Sequence, residues 1–129
     1  MRIFKNAWFV RFARKQKIAD AALREAVARA EKGSIDADLG GGVLKPRIGR
    51  PGQGRSGGYR TIMLYRRQER AFFVYGFAKS DRGNIDRDEE DAFRKAARHV
   101  LALSEAHLAE LVGKGHFVEI DDDDEEVSE

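Results

Sequence analysis

The chain has no cysteine, and only two prolines and one tryptophan in 129 residues. Without thiols there is no disulfide framework, no thiolate metal centre and no cysteine nucleophile, and the composition fits a reducing compartment such as the cytoplasm. Long apolar runs are lacking as well. The longest, Ala71 to Ala78, falls far short of the ~18 residues a membrane-spanning helix needs, so no membrane association is expected. Acid is missing at the start, where Arg2, Lys5, Arg11, Arg14, Lys15 and Lys17 all precede Asp20. An organelle leader is one reading of that stretch. Its apolar segment, Ala7 to Val10, is too short for a secretory signal, and the same residues also read as part of the fold.

Charge is plentiful but unevenly spread. The net charge of +2 conceals ten Lys/Arg against two Asp/Glu in residues 41–82, and five against fifteen in residues 83–129. A basic central third implies a polyanionic partner. The length suits one domain, which buries roughly two-thirds of its unfolded surface. We place that domain at residues 1–120. The closing "DDDDEEVSE", residues 121–129, is a like-charge block expected to be disordered.

Periodicity supplies the elements. Arg2 to Lys5 reads as a strand. Phe9, Phe12 and Ala13 share a helical face, and Ile18, Ala22, Leu23, Ala26, Val27 and Ala30 share another, stopped by Gly33. Val43 to Ile48 reads as a strand near an edge, because Pro46 cannot donate to a ladder. "GYRTIMLYRR" and "RAFFVYGFAKS" are strands joined by a short hairpin turn over 67–70. Ala92, Phe93, Ala96, Ala97, Val100 and Leu101 then mark a helix capped by Asp86 or Asp88. Ser104 caps a second helix, and "HFVEI" is a last short strand. The order β-α-α-β-β-β-α-α-β, with its short strand connections, predicts an α+β fold: a small antiparallel sheet flanked by helices.

The glycine-rich stretch Gly49–Arg60, "GRPGQGRSGGYR", fits two phosphate-binding patterns, G-x-x-x-x-G-[KR]-S and G-x-G-x-x-G. Both require a helix immediately afterwards, whose N-terminal N–H groups hold the phosphate. The residues after these glycines are strand-like, so neither nucleotide site is expected. The glycines instead permit close backbone approach to a ligand. Arg47, Arg50 and Arg55 are spaced along this link as phosphate grips, and Arg60, just inside a strand, is the better-fixed cation. Lys79 and Arg82 come after the next strand. Antiparallel pairing of the two strands brings them to the same end of the sheet as Arg60. Tyr59, Tyr65 and Tyr75 are candidates for stacking on bases. The three histidines lack metal-ligand spacing, and no metal or other cofactor is expected.

The glycine triplet at 40–42 with "SGGYR", then "FFVYGFAKSDRGNI" and the closing "FVEI", resembles the RelE/ParE toxin superfamily, and within it the HigB-like branch of type II toxin–antitoxin systems. The resemblance spans about residues 1–120. It implies a metal-independent, ribosome-dependent endoribonuclease that cuts messenger RNA by attack of the ribose 2′-OH, giving a cyclic phosphate. It also implies a cognate antitoxin, of helix-turn-helix type. Carried onto this sequence, the family's sheet arginine falls on Arg60, its upstream basic pair on Lys45 and Arg47, and its arginine after the central strand on Arg82, with Lys79 in the same turn. Lys45 or Lys79 would be the base that takes the 2′-OH proton. Several relatives place a tyrosine or histidine near the C-terminal end of the site. No tyrosine comes after Tyr75 here; His116 is a candidate substitute, although a lone histidine is more often structural. Two alternatives stand beside this reading: a ParE-like toxin that binds DNA gyrase and cuts nothing, and a non-catalytic RNA-binding module.

Overall fold

The computed structural model describes residues 1–50 and 54–120. The element order is β1 (Arg2–Asn6), α1 (Ala7–Gln16), α2 (Asp20–Glu31), β2 (Asp38–Gly40), β3 (Val43–Leu44), β4 (Arg47–Arg50), β5 (Gly54–Arg66), β6 (Arg70–Ala78), α3 (Arg87–Val100), α4 (Glu105–Gly113) and β7 (Phe117–Glu119). The fold is α+β, as the sequence predicts. The expected 43–48 strand is two strands, interrupted at Lys45 and Pro46, and β2 precedes them.

Caps and turns arise from local chemistry. The Asn6 side chain accepts a hydrogen bond from the Phe9 N–H at 2.7 Å, and its amide donates to the Val74 carbonyl. One residue thus starts α1 and fastens that start to β6. Asp86 and Glu89 form a reciprocal capping box at the head of α3, and Ser104 caps α4. The glycine triplet makes the β2–β3 turn, with φ of +86°, +63° and +85° at Gly40, Gly41 and Gly42. A Cβ on Gly42 would also lie 2.8 Å from Leu101 Cδ1, so only glycine suits that corner.

The sheet runs β2-β3-β5-β6-β1-β7, with β4 also paired to β5. All pairs are antiparallel except β1 with β6. The sheet is therefore mixed rather than wholly antiparallel. The long run through both helices lets β1 return beside β6 in the parallel sense. Helices α1 and α2 cover one face over a core that includes Ile3, Phe9, Leu23, Val27, Met63 and Phe73. Helices α3 and α4 cover the other, over Phe4, Ile62, Leu64, Phe72, Phe77 and Leu108. Covering on both faces explains the near-continuous apolar run of β6.

One irregularity decides what each face presents. On β6 Val74 is an extra residue, because Ile62 pairs with Tyr75 but Met63 pairs with Phe73. This bulge shifts the alternation by one. Phe72 and Phe77 consequently share the α3/α4 face, and Phe73 and Ala78 share the other.

Candidate functional site

Arg60 sits on β5 with Arg47 opposite it on β4 and Phe77 opposite it on β6. Directly paired strand residues point to the same face, so all three project toward the α3/α4 side. Arg82, in the turn after β6, lays its guanidinium over the Phe77 ring at 5.5 Å. It donates to the Asn84 carbonyl at 2.9 Å, to the Tyr75 hydroxyl at 3.2 Å and to both carboxylate oxygens of Glu89. Lys45, between β3 and β4, donates to Asn84 Oδ1 at 2.8 Å. Lys45, Asn84, Arg82, Phe77, Arg60 and Arg47 form one connected chain of neighbours. At its margin the Lys79 N–H bonds to the Gly58 carbonyl, extending the β5–β6 ladder, and the Lys79 residue is exposed.

The cations of this cluster differ in electrostatic state. Arg60 is only 8% exposed, and its Nη1 has no hydrogen-bond partner among the described residues. Burial pushes its pKa down; the nearby charge of Arg47 adds to that push, and Asp36 opposes it. A guanidinium stays protonated regardless, so the site holds a desolvated positive charge with hydrogen-bonding capacity to spare. Arg82 is the reverse. The hydrogen bonds it donates to Glu89 and then to Tyr75 push its pKa up, and Arg82 in turn holds the Glu89 carboxyl below the usual carboxylate range.

The sequence-predicted residues divide accordingly. Lys45, Arg47, Arg60 and Arg82 come together, with Lys79 beside them. Arg50 and Arg55 have backbones on the β4–β5 hairpin; their side chains lie outside the described residues, as do 51–53 and the acidic block 121–129. The link expected as a loop is strand from Gly54 onward. Tyr59 projects to the opposite face. It is 3% exposed, packs edge-on against Phe12 and donates to Gln16 Oε1, which takes its ring out of reach of a base. Tyr65 is likewise held, by a hydrogen bond to Glu31. His116 is exposed just ahead of β7, and β1 lies between that strand and β6.

Three participants went unnoticed in the sequence. Phe77 carries the Arg82 guanidinium over its ring and pairs with Arg60 across the ladder, and strand periodicity alone assigns it to the wrong face. Asn84 joins Lys45 to Arg82 across 39 residues. Glu89 clamps Arg82, although its D-x-x-E spacing from Asp86 is a legible capping signal. Among the described residues no group of three or more His, Cys, Asp or Glu side chains is placed to hold a metal ion, and no helix is long and apolar enough to cross a membrane.

A family model described as the RelE toxin of the RelE/RelB toxin-antitoxin system matches residues 1–120. No curated protein and no solved structure matches the chain.

Proposed function

The chain belongs to the RelE toxin family, the toxin half of a toxin–antitoxin pair, and from that membership we propose that it is an endoribonuclease that cuts messenger RNA on the ribosome and so stops translation. The observation that carries the reading is Arg60, a buried guanidinium at the centre of a cationic cluster, whose Nη1 has no hydrogen-bond partner among the described residues. Leaving a buried donor of a charged group unsatisfied costs roughly 1–3 kcal/mol or more. Such a cost is sensible where an incoming anion completes the site.

In the reaction the 2′-oxygen bonds to the adjacent phosphorus as its proton passes to a base, Lys45 or Lys79. The bond from phosphorus to the 5′-oxygen breaks, leaving a cyclic phosphate, and that oxygen takes up a proton. Negative charge grows on the non-bridging oxygens in between. Arg60 donates to those oxygens from a fixed strand position, the arrangement in which one donor is worth a roughly 10²–10³-fold effect on rate. Arg47 adds charge beside it. Arg82 shapes the wall through Phe77 and Asn84, and its contact with phosphate competes with Glu89. The partners of this reading are messenger RNA on the ribosome and a cognate antitoxin of helix-turn-helix type; the HigB-like branch is the part of the family that it points to.

Induction of the isolated gene should arrest growth and generate new transcript ends bearing a 5′-OH, enriched on ribosome-bound messages. Arg60→Ala should lower the cleavage rate about 10²–10³-fold with unchanged circular dichroism. A fully toxic Arg60→Ala variant would remove the site assignment. Growth arrest without new transcript ends would transfer the protein to the gyrase-binding class.

A further inference from the structure

Helix α1 covers the stretch of β6 that β1 leaves unpaired, and its outer stripe is unusual. Trp8, Arg11, Phe12, Lys15 and Gln16 recur at three- and four-residue steps, so they share one face. They line a cleft of about 240 Å³. That is smaller than the roughly 300–1,000 Å³ of drug-sized pockets and suits one planar ring system. Trp8 is 37% exposed. It stacks on Phe12 at 5.2 Å with the ring planes 16° apart, and it lies 4.7 Å from the Tyr75 ring. Arg11 and Lys15 are exposed, and α1 has no acidic residue. The stripe is continuous with the cluster around Arg60, because the Tyr75 hydroxyl accepts a hydrogen bond from Arg82.

We propose that this cleft is a base-binding subsite for single-stranded RNA, in which a nucleotide flanking the cleaved step packs against Trp8 and Phe12 while Arg11 and Lys15 hold its phosphates. The proposal rests on the ribonuclease reading for the strand that runs through Arg60, and it adds where that strand goes next. Aromatic side chains paired with cations are the general means of holding unpaired bases without sequence readout. An acidic protein segment would also be drawn to Arg11 and Lys15. RNA is favoured by the flat aromatic wall and by its direct junction with the phosphate-binding arginines.

Trp8 is the chain's one tryptophan, so its fluorescence reports on this cleft alone. A short 2′-O-methyl oligoribonucleotide of mixed sequence, which cannot be cleaved, should quench it at low ionic strength. Trp8→Ala should weaken binding of the labelled oligonucleotide, read by anisotropy, by about tenfold, and Trp8→Phe should recover most of that loss. Arg11→Ala with Lys15→Ala should also flatten the log–log salt dependence by about 1.4, two contacts at ~0.7 each. Since Trp8 is partly exposed, these variants should keep the parent's circular dichroism. Binding without quenching, no binding at low salt, or quenching by an acidic partner but not by RNA would each overturn the subsite. Arg60→Ala separates the two readings: it should cut cleavage about 10²–10³-fold yet preserve quenching. Cleavage with no quenching and full affinity in Trp8→Ala sinks the subsite alone. Quenching by the wild-type protein with no cleavage on or off the ribosome sinks the nuclease reading alone.

Discussion

Arg60 bears two opposed demands. The fold would gain from an apolar side chain there, since the residue is 8% exposed and pairs with Phe77, and the Arg47 charge directly opposite is unfavourable in a ladder. Arg60→Met should therefore raise stability by about 1 kcal/mol while removing nuclease activity; chemical denaturation beside a cleavage assay checks both. Gly76 shows the converse, a residue set by packing alone. A Cβ there would lie 2.7 Å from Phe12 Cε2, and Phe12 is itself wedged among Trp8, Phe9 and Tyr59. Gly76→Ala should cost about 1–3 kcal/mol by overpacking, visible as a lower denaturation midpoint. A sequence shows that both residues are present. It does not show that the arginine is buried or that the glycine faces a ring.

At the scale of elements, the start of α3 couples folding to the site. Glu89 closes the capping box on Asp86 and grips Arg82 with the same carboxylate. Gln serves the capping box as Glu does, but it removes the charge facing Arg82. Glu89→Gln should leave helix content unchanged and tighten RNA binding about two- to five-fold, the range expected of an exposed ion pair; circular dichroism and anisotropy are the measurements. The helices themselves were legible, because their apolar stripes repeat and Asp86 and Ser104 are ordinary caps. Less was legible in the strands. The break at Lys45–Pro46 and the strand character of the Gly54–Gly58 segment depend on pairing to β5, and pairing is not written in any one segment.

For the molecule as a whole, acid should act through two depressed carboxylates. Glu105 is lowered chiefly by its hydrogen bond from Arg70, with Arg2 contributing, and Glu89 chiefly by Arg82. A depressed folded-state pKa gives stability that is present above the ordinary glutamate value of 4.5 and is lost as pH falls through the folded-state values. Arg70 and Glu105 join the start of β6 to the start of α4, so α4 should loosen first. Amide hydrogen exchange at about pH 3, compared with neutral pH, should show α4 losing protection before β5 and β6. Uniform loss across the sheet would contradict this.

The sequence by itself determined the α+β class, the helices and most of their caps, the absence of thiol chemistry, and the concentration of positive charge in residues 41–82. These come from composition and from local periodicity, which act over a few residues. Only the tertiary structure decided which cations meet and in what electrical state. The bulge at Val74 turns Tyr75 and Phe77 toward the α3/α4 face, where Phe77 pairs with Arg60 across the ladder and Arg82 lies over its ring. Tyr59 is sent to the other face and into the core. A single extra residue in a ladder inverts every side chain beyond it; burial leaves Arg60 a donor atom without a hydrogen-bond partner among the described residues, and the Glu89 carboxylate neutralises Arg82.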